Sequence, residues 1–174
     1  MADDTDIDTD LVIRLRILDK LTKVLSAITV TYGTDSYDMT DKVFRGRVIF
    51  GDNDPIPMFS ILEVPIPLDQ LETRGINTCS AGPWELMIQG FLPDDKENPT
   101  DPGHVFLAAV KQALAAQKTR GRGQKILGFE RHVTDMKIGA GVVRPPDEIS
   151  AKAYFWLNIT LDIVENWEDP LDAG

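Results

Sequence analysis

Between residues 151 and 164 apolar and polar side chains alternate. Ala151, Ala153, Phe155, Leu157, Ile159, Leu161 and Ile163 take the odd positions, and Lys152, Tyr154, Trp156, Asn158, Thr160 and Asp162 stand between them. Successive side chains on a strand point to opposite faces, so this pattern predicts a strand with one apolar face and one mostly polar face. At roughly 3.4 Å per residue it would run about 45 Å, well beyond the usual strand, and it needs an antiparallel sheet around it. Tyr154 and Trp156 place two large rings on the polar face, groups that commonly mark a helix or a partner resting there. The fold is expected to be built on this strand.

At the other end of the chain the period is helical. Leu11, Leu15, Leu18, Thr22 and Leu25 recur at three- and four-residue steps with Leu21 and Ile28 beside them, which predicts an amphipathic helix over 10–27. Thr9 or Asp10 is its expected cap. Arg14, Arg16, Lys20 and Lys23 lie on the opposite face and read either as solvated surface or as a docking face for an acidic neighbour. A short strand over 28–32 runs into turn composition over 33–42. Alternation then predicts a strand over 43–50 that carries Arg45 and Arg47 on one side. The turn residues 51–55 and a second strand over 58–64 make 45–64 read as a hairpin.

Prolines and glycines bracket 65–82, a long connection in which Leu68 and Leu71 could begin one helical turn. Connections of that length often carry function. A strand over 84–91 and an exposed loop over 93–102 follow. A second helix is expected there, with Asp101 as its cap and Pro102 at its first position. Its buried stripe is Phe106, Ala109, Val110, Ala113, Leu114 and Gln117, and its alanines would allow close approach to a sheet. Lys118, Arg120 and Arg122 sit at its end, where Gly121 and Gly123 stop it. Residues 126–129 and 133–143 read as strands or as a long arm running from about Lys137 through Arg144, with Gly139 and Gly141 marking a bend. Trp167, amid acids, is placed to anchor a tail.

The 174 residues fit one hydrophobic core, divided here into an acidic arm over 1–9, a single α+β domain over 10–166 and an acidic tail over 167–174. The lone Cys79 forms no internal disulfide and offers no thiolate cluster. No apolar run is long enough to predict a membrane span, and the acidic N-terminal stretch does not resemble a secretory signal. Twenty-eight acidic against 18 basic residues give a net charge of −10. That argues against wrapping duplex DNA with the general surface. An acidic wall would instead let a passing duplex slip by, and a ring of copies would multiply the field.

Catalytic chemistry is not apparent. His104 and His132 are far apart in sequence and fit no compact zinc pattern. Cys79 has no local base to activate it. Asp94, Asp95 and Glu97 lack the alternation and closing Glu of a calcium loop. Lys118-Thr119-Arg120-Gly121-Arg122-Gly123-Gln124-Lys125 lacks phosphate-loop spacing and follows a helix. It reads as a plain loop, a contact for an acidic protein face or a brush against a nucleic-acid backbone. Asn158-Ile159-Thr160 matches a glycosylation triplet inside a predicted strand, which is taken as chance. No enzyme activity and no cofactor or metal is expected.

The order of features carries a resemblance. An N-terminal amphipathic helix, a Gly/Asp-rich segment, a strand pair, the strand Gly82-Pro83-Trp84-Glu85-Leu86-Met87-Ile88-Gln89-Gly90, an Ala-rich helix and a long last strand follow one another. In this arrangement the chain resembles the tail terminator (tail completion, or tail-to-head joining) proteins of long-tailed bacteriophages, over roughly half its length. The family has no short diagnostic motif and no catalytic residues to carry over. The resemblance implies an α+β subunit, mostly antiparallel, that assembles as a hexameric ring on the tail tube in the virion, after assembly in the host cytoplasm. Such a ring stops tube growth and offers a docking surface to the head-completion or connector protein. Its partners are further copies of itself, the tube protein and that connector, with genomic DNA only as passing cargo and no membrane.

Assembly contacts are expected at Arg14, Lys20, Arg45, Arg47, Leu68, Leu71, Arg120, Arg122, Lys137, Arg144, Tyr154 and Trp156, with the 65–82 loop and the 137–144 arm at the ring faces or between subunits. A connector or tube subunit of the same particle is the neighbouring reading. A small soluble enzyme with an unrecognised site is the reading of another class, and it needs polar groups converging on His104, His132 or Cys79.

Overall fold

A computed structural model describes residues 10–51, 53–65, 72–74, 79–118 and 125–171. Two helices lie on one face of a seven-stranded, largely antiparallel sheet, an α+β fold with a long C-terminal strand. The strands are β1 (Thr29–Tyr32), β2 (Asp35–Asp38), β3 (Val43–Arg45), β4 (Met58–Glu63), β5 (Glu72–Arg74), β6 (Cys79–Phe91), β7 (Val133–Ile138), β8 (Val142–Arg144) and β9 (Tyr154–Asn166). The helices are α1 (Ile13–Ser26) and α2 (Asp101–Ala116). The main sheet runs β3-β4-β6-β9-β7, with β5 continuing the β4 side of β6 and β8 continuing the β7 side of β9. β1 and β2 form a separate hairpin.

β9 is the axis of the sheet, as its alternation predicts. It pairs along its whole length with β6, from Tyr154 opposite Phe91 to Asn166 opposite Cys79. Phe155, Leu157, Ile159, Leu161 and Ile163 are buried toward the helices, with Trp84, Leu86 and Ile88 of β6 beside them. Gly90 sits directly opposite Phe155, and a Cβ there would lie 2.3 Å from the Phe155 ring, so the missing side chain is what lets the ring lie flat on the strand. β6 begins at Cys79, not near Trp84, despite Gly82 and Pro83. Pro83 falls between the part of β6 paired with β4 and the part paired with β5, where a missing N–H breaks no ladder on that side.

Several expectations are corrected by contacts distant in sequence. β3 and β4 are parallel neighbours, not a hairpin. The chain leaves β3 at Gly46, whose φ is +71°, and residues 46–57 loop back to start β4 beside the start of β3. β2 occupies part of the stretch read as loop, because the two-residue turn Gly33-Thr34 folds it onto β1. Residues 126–129 are a tight turn, with Leu127 and Gly128 both at positive φ. Of the two readings of 133–143, strands form and a projecting arm does not. β7 and β8 both pair with β9, and the break at Gly139–Gly141 is where the Gly139 backbone closes on Asn158, 2.7 Å from where a Cβ would stand.

α1 buries Ile13, Ile17, Leu21 and Leu25, with Leu18 beside them, while Leu15 of the predicted stripe is 42% exposed. The row chosen by the sheet is turned from the predicted one, and it takes Arg16 (2% exposed) and Lys20 (8%) inward. Their long stems can lie along apolar surface. Val12, not Asp10, occupies the cap position, and Thr9 lies outside the described residues. In α2, Phe106, Val110 and Leu114 are buried as expected, joined by Leu107. Thr100, not Asp101, is at the cap. Ala109 and Ala113 pack at the edge of the main core and also line a groove shared with α1.

Candidate assembly surfaces

The face of the sheet away from the helices has two zones. At one end Met58, Phe91 and Tyr154 are buried in a small cluster with Phe44, Phe50, Ile56 and Trp156 packed on it. Register explains the grouping, since Met58 pairs Phe91, which pairs Tyr154, which pairs Arg144. Beyond this cap the same face carries Gln89, Asn158 and Thr160, together with Lys137, whose Nζ lies 3.4 Å from Asp162 Oδ2. No described element covers that second zone.

The capping cluster is sealed by the loop over 46–57. Arg47 donates from Nη1 to Asp54 Oδ1 at 2.6 Å, and its guanidinium lies 4.5 Å over the Phe44 ring. Its backbone N–H reaches Ser60 Oγ at 3.1 Å, and the Gly51 N–H donates to Asp54 Oδ2 at 2.7 Å. Phe50 turns in onto Phe91, with ring centroids 4.7 Å apart. The clip leaves Val48 (63% exposed) and Ile49 (75%) in solvent. Two adjacent aliphatics held out by an ion pair and a ring contact form a shaped apolar tip. Alternation had assigned these two residues to a strand, and no local signal distinguishes a strand end from a displayed tip.

Tyr154 is buried, so it is not a ring displayed for a partner. Its hydroxyl donates to Asp147 Oδ2 at 2.9 Å and its ring lies 5.7 Å from Trp156, which is half-buried. Burial raises the Tyr154 pKa, as does the bond to Asp147. Desolvation pushes the Asp147 carboxyl up, but the N–H groups of Ile149 and Ser150, the Tyr154 hydroxyl and Arg144 outweigh it and hold the group below the usual range. Arg144 Nη2 reaches that carboxylate at 3.5 Å.

Arg14 is also committed within the subunit. Its Nε and Nη2 donate to Glu165 Oε1 and Oε2, each at 2.8 Å, and its guanidinium lies 5.0 Å from the Trp84 ring centroid. The bond to Glu165 raises its pKa further. This fork ties α1 to the end of β9. Lys20 lines the groove between the helices, and Arg45 is exposed at the end of β3. Leu68, Leu71, Arg120 and Arg122 lie outside the described residues, as does the 1–9 arm. The structure therefore brings Arg47, Arg144, Tyr154 and Trp156 to one end of the helix-free face, sets Arg45 beside Ile61 in the helix-side register of β3, leaves Lys137 in the open zone of the helix-free face, and separates Arg14 and Lys20 from them. Trp167 is exposed and does not anchor the tail.

His132 is buried with Nδ1 3.4 Å from the Val164 carbonyl oxygen, while His104 is exposed on α2. Cys79 is half-buried near Asn166. Among the described residues no three of His, Cys, Asp and Glu converge as a metal site, and no helix is long and apolar enough to cross a membrane. Comparison with models of known protein families gives no match, and comparison with curated protein sequences gives none either.

Proposed function

We propose that this chain is the subunit of a closed ring that caps a phage tail tube, ends its polymerisation and receives the head connector. The observation that carries this reading is the clipped tip with Val48 and Ile49 held in solvent beside the helix-free sheet face. An apolar protrusion on one side of a subunit suits a heterologous contact, in which one surface of a copy meets a different surface of the next. Repeated about an axis, such a contact closes a ring and leaves two unlike faces, one for the tube end and one for the connector. The net charge of −10, multiplied around the ring, suits a bore that passes DNA without holding it. The order of elements that resembles tail terminators supports the same reading.

Light scattering with negative-stain imaging of the purified chain, alone and with tail tubes, tests it. Discrete rings, alone or on tube ends, are expected. Ile49→Asp should abolish them while leaving the thermal transition of the monomer within about 3 °C, since the side chain is exposed. Open-ended tubes would make the chain a tube subunit. A monomer that neither closes on nor caps added tubes would overturn the reading.

A further inference from the structure

α1 and α2 leave between them an open groove of about 530 Å³. Its walls are mostly small and apolar, with Val24 and Ala27 on the α1 side and Ala109, Ala113 and Ala116 on the α2 side. One charged residue of this lining is nearly shut away from water. Lys20 is 8% exposed, and among the described residues its ammonium makes no hydrogen bond or ion pair. A cation taken out of water without a counter-charge is costly, and a carboxylate brought to it from outside offsets that cost. The volume falls within the ~300–1,000 Å³ of sites that enclose ring-bearing groups. The groove therefore suits a segment that joins bulky apolar side chains to a carboxylate.

The chain displays such a segment just past β9. Trp167 is 55% exposed and Leu171 46%, and Glu168 and Asp169 stand between them in solvent. An indole turned outward is the kind of group that anchors an interface when a pocket receives it. The segment leaves β9 through a turn in which the Glu168 N–H donates to Asn166 Oδ1 at 3.1 Å. None of residues 167–171 lines the groove of its own subunit. The fork from Arg14 to Glu165 sets the end of β9 beside the first turn of α1, whereas the groove follows the second half of α1 to Ile28 and Thr29. The displayed segment and the groove are thus two different surfaces of one subunit, as a heterologous contact requires.

We propose that Trp167 and Leu171 of one copy seat between α1 and α2 of a second copy, with the Glu168 and Asp169 carboxylates at Lys20. Copies that each carry −10 repel one another at a distance, and a local cation is what lets an acidic segment be accepted. The contact adds a second joint to the one assigned to the Val48–Ile49 tip. It needs only a neighbouring copy, whatever form the assembly takes.

Two full-length proteins test it, both with Cys79→Ser. One carries Leu171→Cys and the other Ala116→Cys, an exposed position of the groove wall. Mixed and oxidised, they should crosslink to each other at a rate that rises with protein concentration. Trp167→Ala in the first protein, or Lys20→Met in the second, should each slow that rate about tenfold. Lys20→Met keeps an unbranched stem, and Lys20→Gln stands in should it fail to fold. Gln112→Cys likewise replaces Ala116→Cys if needed. Leu171→Cys and Ala116→Cys are also placed in one chain. An intrachain crosslink there, at a rate independent of concentration, would assign the groove to the subunit's own tail and overturn the proposal. No crosslink between the mixed proteins, or a rate indifferent to either substitution, would overturn it as well. Rings that form without the crosslink would overturn this contact and leave the ring reading standing. The crosslink in dimers or open-ended tubes would do the reverse.

Discussion

The two faces of one sheet behave differently although the same strands build both. Toward the helices, Leu86, Ile88, Phe155, Leu157 and Leu161 are fully buried in a continuous core. On the reverse, the end held by Met58, Phe91 and Tyr154 is dry, and beyond it the face presents Gln89, Asn158, Thr160 and the Lys137–Asp162 pair beside the buried Leu62. The first face holds the fold through area removed from water. The second is available for contacts that need not contribute to folding. A polar strand face is thus not uniform, because its end can be recruited into a second small core by a loop far away in sequence.

The sharpest way to break the comparison is at Phe155. Phe155→Ala on the helix face should cost about 3–5 kcal/mol in urea denaturation, because the ring fills the space that Gly90 leaves and contacts Phe59 at 5.7 Å. A loss below about 1 kcal/mol would mean that the core does not depend on that row. Next comes the dry end of the reverse face. Tyr154→Phe keeps the ring and removes the hydroxyl bond to Asp147, so a loss of about 1 kcal/mol by the same measurement is expected.

A smaller effect is expected from acid. The Lys118 ammonium, followed by the Met136 N–H, holds the Asp135 carboxyl below its usual range. A depressed folded pKa contributes stability that is present above the unfolded pKa, near 4, and is lost as pH falls through the folded value. Thermal transitions scanned downward from pH 5 should therefore fall less steeply in Asp135→Asn than in the parent chain. The difference should stay under about 1 kcal/mol, because both partners are partly exposed. Smallest of all is Asn158→Ala in the open zone, expected to change monomer stability by less than about 0.5 kcal/mol. Should it nonetheless alter ring formation, the open zone is an assembly contact.

Much of the architecture was legible. β9, β4 and the buried row of α2 follow from local alternation or helical period, and Gly139 and Gly141 signalled the break between β7 and β8. The candidate surface was harder to read. Arg14 looked like a docking charge, yet it is locked to Glu165, a residue 151 positions away. Tyr154 looked like a displayed ring because it shares a strand face with Asn158, and only the loop carrying Phe50 and the Asp147 carboxylate explain its burial. Val48 and Ile49 continue the alternation of the strand, because nothing nearby says where pairing stops. In the structure Arg47 turns its N–H to the Ser60 side chain and the ladder ends there.

The sequence by itself determined which side chains share a face: the two-sided strand β9, the Phe106–Val110–Leu114 row of α2 and the apolar character of α1. Those are properties of period, and period is local. Only the tertiary structure decided which of two rows on α1 turns inward, that β3 runs parallel to β4, and that β7 and β8 join the sheet instead of reaching outward. Each of those choices depends on partners far away in the chain. A repeat in the sequence can say that a face is apolar, but the neighbour that covers it is selected by contacts that only the folded chain brings together.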